Sequence, residues 1–394
     1  MAHKAYEAHK EHKRTMFGLS LSVFVMMLGV GTIMPLLPGK VIAFGGSESA
    51  VAYIASAFAL PYILLQVPMG AWSDRLGVKR FLIAGYLLCG ASGLIYYFAD
   101  SAPSVLLGRV VQGAGEAPLW ALAPALLSIL YAGSKGRAMG VYNATLHVGL
   151  TLGPLLGIVL LRVGWGAFNF LFFSACCAVS AVVVALLVEN RRSAGAQDVR
   201  FDLGGMKKIA SDRAILVAFL GIMLYGAGYG LFLTTLPAYM VRARGYSQTF
   251  VQFFFASYYL AVSLSQIVSG PLTDRYGPEK FMVAGLGATA VLLALLPLLI
   301  SQAAALTAVL GASLGLGTFF LSSMSFLNAA VPAQLKGTIS GTYYLFWGIG
   351  FFTGPIVVSR VMAAYGDNVG LTGFAALMFA ESVALFCILR RKAA

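Results

Sequence analysis

Charged side chains are scarce in this sequence. Only 10% of its 394 residues are Asp, Glu, Lys or Arg, whereas 59% are hydrophobic. Soluble domains average about 25% charged residues, so a soluble globular fold is excluded and most of the chain is expected to lie in lipid. Acidic residues are scarcer than basic ones: the chain has 14 Asp and Glu against 27 Lys and Arg, which gives a net charge of +13. Because the basic residues stand between apolar runs, they indicate membrane topology and contact with anionic lipid headgroups; nucleic-acid binding is not expected.

Cysteine is also rare. The four cysteines lie in apolar runs without the CxxC spacing of metal or redox sites, so we interpret them as small packing residues: Cys89, Cys176, Cys177 and Cys387. The sequence lacks a nucleotide-binding Gly-rich loop with its Lys, and it lacks a nucleophile elbow. These absences disfavour an enzyme and an ATP-driven machine. We therefore expect no catalytic residues, no metal and no cofactor, with an ion gradient as the energy source.

Long apolar runs are what the chain has in abundance. A membrane-spanning helix needs about 20 mostly apolar residues, and twelve such runs are predicted at 16–39, 50–72, 81–99, 104–131, 137–161, 166–188, 214–241, 247–272, 281–300, 303–331, 337–362 and 369–389. Residues 1–15 are polar and lead directly into the first run, so no signal peptide is predicted. Pro38 and Pro237 are predicted to end the first and seventh helices. The predicted fold is all-α and polytopic.

An internal repeat relates the two halves of the chain. The stretch Gly70–Arg80 recurs two hundred residues later at Gly270–Lys280, with Gly, Asp, Arg and Gly at the same relative positions. In the fifth and eleventh predicted helices, a Gly, a Tyr and a Gly-Pro pair also correspond. The polar segment 189–213 separates six predicted spans from six. We therefore predict two pseudo-symmetric six-helix halves, residues 1–188 and 214–394, joined by a cytoplasmic linker at 189–213.

The positions of Lys and Arg predict the orientation in the membrane. If the N-terminus is cytoplasmic, 21 of the 27 Lys and Arg lie in cytoplasmic segments, five lie on the opposite side and Arg109 lies within the fourth helix. The positive-inside rule favours this assignment. Both termini are therefore predicted to be cytoplasmic, and a bacterial inner membrane is the expected location.

Several motifs give the chain a resemblance to the major facilitator superfamily over nearly its whole length. The loop at Gly70–Arg80 matches the superfamily's loop between helices two and three. Three further stretches resemble its twelve-helix drug–proton antiporter branch: Leu28-Gly29 with Pro35 and Pro38, then Arg109-x-x-Gln112-Gly113-x-Gly115, then Gly149-x3-Gly153-Pro154-x-x-Gly157. The sequence departs from the family at Ile158, where a second glycine is usual, and at Glu116, where many relatives carry a small residue.

The resemblance implies roles for the loop and for helix five. The loop residues would form a conformational latch on the cytoplasmic side: Gly70, Asp74, Arg75, Gly77 and Arg80, with Asp274 and Arg275 in the second copy. A plain cytoplasmic turn is the alternative. The helix-packing motif comprises Gly149, Gly153, Pro154 and Gly157. Its small residues let two backbones approach closely, either as a surface that slides during transport or as ordinary tight packing.

Ionisable residues within membrane helices are candidate functional sites, because an unpaired charge there costs several kcal/mol. Glu116 lies near the middle of helix four, two turns from Arg109 on the same face. A buried carboxyl of this kind can exchange a proton for a substrate, and the resemblance associates Arg109 with proton transfer. His147 could share the proton or could be hydrogen-bonded packing. Glu381, in helix twelve, is expected to have a structural role.

Polar aromatic and amide side chains form the predicted substrate cavity. The candidates are Gln112, Tyr142, Asn143, Tyr225, Tyr229, Tyr258, Tyr259, Asn328, Tyr343 and Trp347. Aromatic surfaces with few fixed charges suit hydrophobic or weakly cationic molecules.

The leading hypothesis is a secondary transporter that exports a small amphipathic or drug-like compound in exchange for protons. An alternative keeps the fold and changes the substrate, because Gly113-Ala-Gly115-Glu116-Ala-Pro118 is similar to the helix-four segment of spinster-like transporters of lysolipids. Symport of a metabolite with protons is a third reading. The expected partners are the substrate, protons and membrane lipids, and the expected state is a monomer.

Overall fold

The computed structural model describes residues 2–131, 135–164, 166–190, 212–331 and 336–393, and this part of the chain consists of helices and turns without β-strands. The helices are α1 (Ala2–Ile33), α2 (Leu37–Ala43), α3 (Glu48–Leu76), α4 (Val78–Phe98), α5 (Ala102–Leu130), α6 (Lys135–Arg162), α7 (Phe168–Leu187), α8 (Arg213–Leu233), α9 (Thr235–Arg242), α10 (Gln248–Tyr276), α11 (Pro278–Leu295), α12 (Gln302–Ala330), α13 (Lys336–Tyr365) and α14 (Asp367–Ala393). Most of the predicted linker, 191–211, lies outside the described residues.

The predicted twelve-helix fold is confirmed. Within the described residues, ten helical segments are long and apolar enough to cross a membrane; α1 with α2 makes one of them, and α8 with α9 another. The remaining two spans are α3, whose apolar stretch is the shorter Ala50–Leu65, and α5. Helix α5 has 29 residues, enough to span a bilayer, but it carries Arg109, Gln112 and Glu116 in its first half. Its polar content makes α5 the exceptional helix of the chain.

Two prolines act differently from the prediction. Helix α1 ends at Ile33, a single 3-10 turn covers Met34–Leu36, and Pro38 lies in the first turn of α2. Pro237 likewise lies in the first turn of α9. Proline lacks a backbone N–H but is tolerated in a first turn, where that N–H has no helical acceptor. The prediction that Pro38 and Pro237 end their helices was therefore wrong, since each lies at the start of a short continuation.

The helices form two compact units, and each unit is built on the same helix pairs. The first unit contains α1, α2, α3 from Ala57 onward, and α4 to α7; the second contains Ser47–Ser56 and α8 to α14. In the first, α1 packs along α6, and α4 packs along α5 and α7. In the second, α8 packs along α13, and α11 packs along α12 and α14. Corresponding helices therefore make corresponding contacts, which extends the sequence repeat to packing within each unit.

The repeated loop has the same backbone conformation in both copies. Gly77 follows α3 with φ of 89°, and Gly277 follows α10 with φ of 84°. The N–H of Gly77 donates to the carbonyl of Ser73 at 2.8 Å, and that of Gly277 donates to the carbonyl of Thr273 at 3.0 Å. Residues with a Cβ rarely adopt such a φ. The glycine that closes the Asp-Arg-x-Gly motif is thus required by the turn that separates the two helices.

Replacing Gly277 with Ala should lower the free energy of unfolding by about 1–3 kcal/mol, because a non-glycine residue is strained at this φ. The added Cβ would also lie 2.8 Å from Oε2 of Glu279. The thermal unfolding midpoint of the purified protein in detergent measures the loss. Gly270→Ala is the matched control, since a Cβ there meets only Leu321 at an ordinary 3.5 Å. Equal midpoints for the two variants would contradict the prediction.

Candidate functional site

A row of polar side chains lies along one face of α5. Arg109, Gln112, Glu116 and Trp120 are spaced three, four and four residues apart, which places them one above another on a helix. Arg109, Gln112 and Glu116 are buried, with at most 5% of their surface exposed, whereas Trp120 is 37% exposed. The row therefore runs from a buried cation, through a buried carboxyl, to an indole at the surface of the protein.

Hydrogen bonds connect the row from end to end. Nη1 of Arg109 donates to Oε1 of Gln112 at 2.9 Å, and Nε2 of Gln112 donates to Oε1 of Glu116 at 2.9 Å. Nε1 of Trp120 donates to Oε2 of Glu116, also at 2.9 Å. Each carboxyl oxygen of Glu116 thus accepts one hydrogen bond. Arg109 and Glu116 are coupled through the amide of Gln112.

Neighbouring helices of the first unit hold this row in place. The hydroxyl of Tyr96, in α4, donates to Oε1 of Gln112 at 2.7 Å. The guanidinium of Arg109 lies 4.5 Å from the ring centre of Phe58, and its Nη1 lies 3.5 Å from the sulfur of Met34. Because Oε1 of Gln112 accepts from both Arg109 and Tyr96, its amide nitrogen is left to donate to Glu116. The orientation of the amide is thereby fixed.

The sequence placed Arg109, Gln112 and Glu116 on the site but missed two of its members. Tyr96 comes from another helix, so spacing along α5 could not find it. Trp120 could have been found from the sequence, since it lies four residues after Glu116 and its indole N–H can donate a hydrogen bond to a carboxylate. Its spacing alone is a weak signal, because most aromatic side chains in a membrane protein face lipid or neighbouring helices.

Two other ionisable side chains are not joined to this row by a described contact. Nδ1 of His147, in α6, is buried and has no hydrogen-bond partner among the described residues. The same is true of Oε1 of Glu381, in α14, which lies 3.5 Å from the Cβ position of Gly221 in α8. A role for His147 in proton coupling stays a prediction.

Aromatic side chains of the second unit form one cluster around Tyr229. The ring centre of Tyr229 lies 5.7 Å from those of Tyr258 and Trp347, 5.8 Å from Phe351 and 6.4 Å from Tyr225. These distances fall in the range of favourable aromatic contacts. Three helices, α8, α10 and α13, contribute to the cluster.

Most of the cavity candidates of the second unit belong to this cluster or adjoin it. Tyr225, Tyr229 and Trp347 are members, and Tyr343 joins through Phe320, which lies 5.8 Å from Tyr225 and 5.9 Å from Tyr343. Tyr258, another of the candidates, is also a member, and its buried hydroxyl has no hydrogen-bond partner among the described residues.

The remaining cavity candidates have other surroundings. Tyr259 contacts Tyr258 at 5.2 Å, next to the cluster. The amide of Asn328 donates to the carbonyl of Met324 on its own helix at 2.9 Å. In the first unit, Tyr142 is buried and Asn143 is exposed. The structure therefore separates the predicted cavity set into the α5 row, the aromatic cluster and individual residues.

The glycines of α6 lie against the backbone of α1. A Cβ on Gly149 would lie 2.6 Å from the carbonyl oxygen of Phe24, and one on Gly153 would lie 2.5 Å from that of Leu28. From the other side, a Cβ on Gly31 would lie 2.8 Å from Cδ of Pro154. No side chain fits between the two helices at these points. Gly157, the last residue of the motif, is buried.

The second unit repeats this arrangement with the corresponding glycines and proline of α13 and α8. A Cβ on Gly350 of α13 would lie 3.0 Å from the backbone nitrogen of Ala227 of α8, and one on Gly354 would lie 2.6 Å from Cα of Ala227. Gly230 of α8 packs against Pro355. The close contact between corresponding helices is therefore made twice, once in each unit.

The loop residues predicted to form a latch are described only in part. The side chains at Gly70, Asp74 and Arg75 lie outside the described residues. Arg80 is exposed, as are Asp274 and Arg275, and the guanidinium of Arg275 lies 5.2 Å from the ring centre of Tyr276. A latch at this loop stays a prediction. No metal-binding cluster of His, Cys, Asp or Glu is present in the described ranges.

Comparison with known proteins agrees with this architecture. The sequence model of the Major Facilitator Superfamily matches residues 19–355 and 218–394. Multidrug resistance protein 1 of Bacillus subtilis (strain 168) is 22% identical over 343 residues, which cover 86% of this chain and 87% of that protein.

Two solved structures share the fold. A mutant of the nucleoside transporter NupG superimposes with a TM-score of 0.80 at 13% identity, covering 95% of this chain and 99% of that chain. A bacterial homolog of the human lysosomal transporter Spinster, inward-facing and unoccupied, gives a TM-score of 0.77 at 16% identity over 96% and 95% of the two chains. Members of this family are transporters, which agrees with the prediction that the chain is not an enzyme. The protein is an integral membrane protein and belongs to the Major Facilitator Superfamily.

Proposed function

We propose that this protein is a proton-coupled secondary transporter that exports a small amphipathic or drug-like compound by alternating access. The observation that carries the proposal is the hydrogen-bonded row on α5, in which a buried carboxyl, Glu116, is coupled through Gln112 to a buried cation, Arg109. Ionisable groups are retained inside membrane helices chiefly where they bind ions, protons or charged substrates. The similarity to a multidrug resistance protein supports export of a drug-like substrate.

The carboxyl of Glu116 is suited to exchange because it can hold either a proton or the charge of a substrate. In its ionised form it accepts one hydrogen bond at each oxygen. A proton removes the negative charge that strengthens these hydrogen bonds, so proton binding weakens the contacts that hold the row together. If binding of substrate and binding of proton disfavour each other, then a proton gradient drives the substrate in the opposite direction.

The two six-helix halves, 1–188 and 214–394, are proposed to alternate between inward-open and outward-open states, with both termini and the linker 189–213 in the cytoplasm. In this scheme the Asp74 loop is the latch that favours one state. The close contacts of α6 with α1, and of α13 with α8, are the backbone surfaces that remain tight within each half. The membrane is proposed to be a bacterial cytoplasmic membrane, and the working form a monomer.

The aromatic cluster around Tyr229 supports an amphipathic substrate. Tyrosine and tryptophan rings offer apolar faces together with polar edges, and their faces attract cations. Such a surface matches an organic molecule with at most a weak positive charge better than a strongly anionic metabolite.

The test is transport by the purified protein in liposomes that contain the pH indicator pyranine. Addition of the cation tetraphenylphosphonium or ethidium should produce substrate movement and proton movement in opposite directions. Nigericin, which removes the pH gradient, should stop uphill transport, and protein-free liposomes give the background. Uphill transport that continues after the pH gradient has been removed would contradict the proposal.

A lipid-like substrate is the second candidate, and the run from Gly113 to Pro118 with its Glu116 favours it. The same liposomes distinguish the two candidates when a fluorescent lysophosphatidylcholine is the probe. Proton movement that follows the lysolipid, with no response to the organic cations, would replace the first candidate by the second.

A further inference from the structure

Trp120 has a special position in the α5 row, because it is the only member that reaches the protein surface. Its ring is 37% exposed, whereas Glu116 is 5% exposed. Its indole nitrogen nevertheless donates to Oε2 of the buried carboxyl at 2.9 Å. No other described hydrogen bond involves the side chain of Trp120. A molecule that reaches the exposed ring is therefore one hydrogen bond away from the carboxyl.

The partners of Glu116 match its ionised form. The indole N–H is a donor only. The Gln112 amide presents its NH₂ to Glu116, because its oxygen already accepts from Arg109 and Tyr96. When Glu116 takes up a proton, it loses the negative charge that strengthens both hydrogen bonds. The hydrogen bond that is less firmly held is then the first to be released.

Of the two hydrogen bonds to Glu116, the one from Trp120 is the less firmly held. Turning the Gln112 amide would separate its oxygen from both Arg109 and Tyr96, and all three residues are buried. Turning the indole breaks only its single bond to Oε2, and its ring borders open space. An unmade hydrogen bond is costly for buried groups and cheap for exposed ones. Protonation of Glu116 is therefore expected to release the indole before the Gln112 amide.

We propose that Trp120 is the positioning residue that couples the exposed surface of α5 to the protonation of Glu116. This inference rests on the proposed function, in which Glu116 carries the proton. Protonation releases the indole N–H, and an organic cation that stacks on the indole while it is bonded to Oε2 favours the ionised carboxyl and so opposes protonation. The two effects are reciprocal, as linkage requires. The ligand class is a flat aromatic or organic cation that stacks on an indole face.

Other ionisable groups also interact with Glu116 and must be separated from its effect. They are Arg109 on the same helix, Cys89 and Tyr96 on α4, and Cys177 on α7. Glu116→Gln removes the proposed proton site and leaves all four in place. It is therefore the control that assigns any pH-dependent signal of Trp120 to Glu116.

Tryptophan fluorescence reports the release directly. The chain has four tryptophans, and replacement of Trp72, Trp165 and Trp347 by Phe leaves Trp120 as the only emitter. The emission should change in a single step as Glu116 takes up its proton in a pH titration, and the step should be absent after Glu116→Gln. Subtraction of the Trp120→Phe spectrum from that of the otherwise unaltered protein gives the same signal without the triple replacement. A flat emission, or a step that persists after Glu116→Gln, would overturn the inference.

Transport provides an independent measurement. Trp120→Phe removes one of the two donors to the carboxylate, so the pH profile of transport should move to higher pH by about one unit, a tenfold change in proton concentration. A loss of packing alone would lower the rate without moving the profile. An unmoved profile would overturn the inference. If the emission step is present but transport ignores the proton gradient, the proposed function fails and the link between Trp120 and Glu116 stands.

Discussion

Glu116→Gln should abolish uphill, proton-driven transport while the protein remains folded. Glutamine has nearly the same shape as glutamate, but its amide binds no proton at physiological pH. The gradient-driven accumulation of substrate is expected to fall by about 100-fold. Coupling free energies between two sites are ~1–3 kcal/mol, and a loss of this size lies near the upper end of that range. Accumulation in proteoliposomes under an imposed pH gradient is the measurement. Undiminished accumulation by Glu116→Gln would remove Glu116 from the mechanism.

A second assay separates lost coupling from lost folding. Exchange of labelled for unlabelled substrate across the membrane needs alternating access but no net proton movement, so Glu116→Gln should retain it. Glu381→Gln is the matched control, because Glu381 is also a membrane-embedded carboxyl with a buried oxygen, yet it lies in the second unit on α14. Glu381→Gln should keep both exchange and proton-driven accumulation. If both variants lose only the driven transport, then coupling is shared between the two carboxyls.

The fold was predictable from the sequence because its signals are local. A bilayer requires every spanning segment to satisfy its own backbone hydrogen bonds, so a long apolar run specifies a helix almost independently of its neighbours. The repeated Asp-Arg-x-Gly loop was equally informative, since Gly77 and Gly277 share a positive φ that few other residues adopt. Helix interruptions were less predictable. Whether Pro38 ends a helix or begins one depends on the preceding turn, Met34–Leu36, which no proline rule specifies.

The candidate site was predictable only along a single helix. Spacing placed Arg109, Gln112 and Glu116 on one face, but the pairing of their atoms depends on side-chain rotamers and on Tyr96 from α4. The cavity residues show the same limit. Tyr225, Tyr229 and Trp347 meet in one cluster, whereas the Asn328 amide bonds to its own helix, and both outcomes are compatible with the same apolar pattern. Contacts between helices are set by side-chain packing, which cannot be predicted from composition and spacing.

Gly153→Leu should destabilise the protein by about 3 kcal/mol, at the upper end of the range for overpacking. The reason is that a Cβ at Gly153 meets two backbone atoms of α1, at 2.5 Å from the oxygen of Leu28 and 2.6 Å from Cα of Gly31. Backbone cannot move aside as the end of a flexible side chain can, so α6 and α1 must separate. We expect a low yield of monodisperse protein in size-exclusion chromatography and a lower thermal unfolding midpoint.

Gly140→Leu is the matched control, because Gly140 lies on the same helix and a Cβ there meets nothing within 4 Å. In the second unit, Gly354→Leu should reproduce the loss, since its Cβ would lie 2.6 Å from Cα of Ala227, and Gly341→Leu should not.

Gly153→Ala then tests whether the contact also moves during transport. If the added methyl group of Gly153→Ala lowers the unfolding midpoint and the transport rate in proportion, the contact has a packing role alone. A large fall in the transport rate with little change in the unfolding midpoint indicates that α6 must slide along α1. For Gly153→Leu, an unchanged unfolding midpoint would contradict the close contact itself.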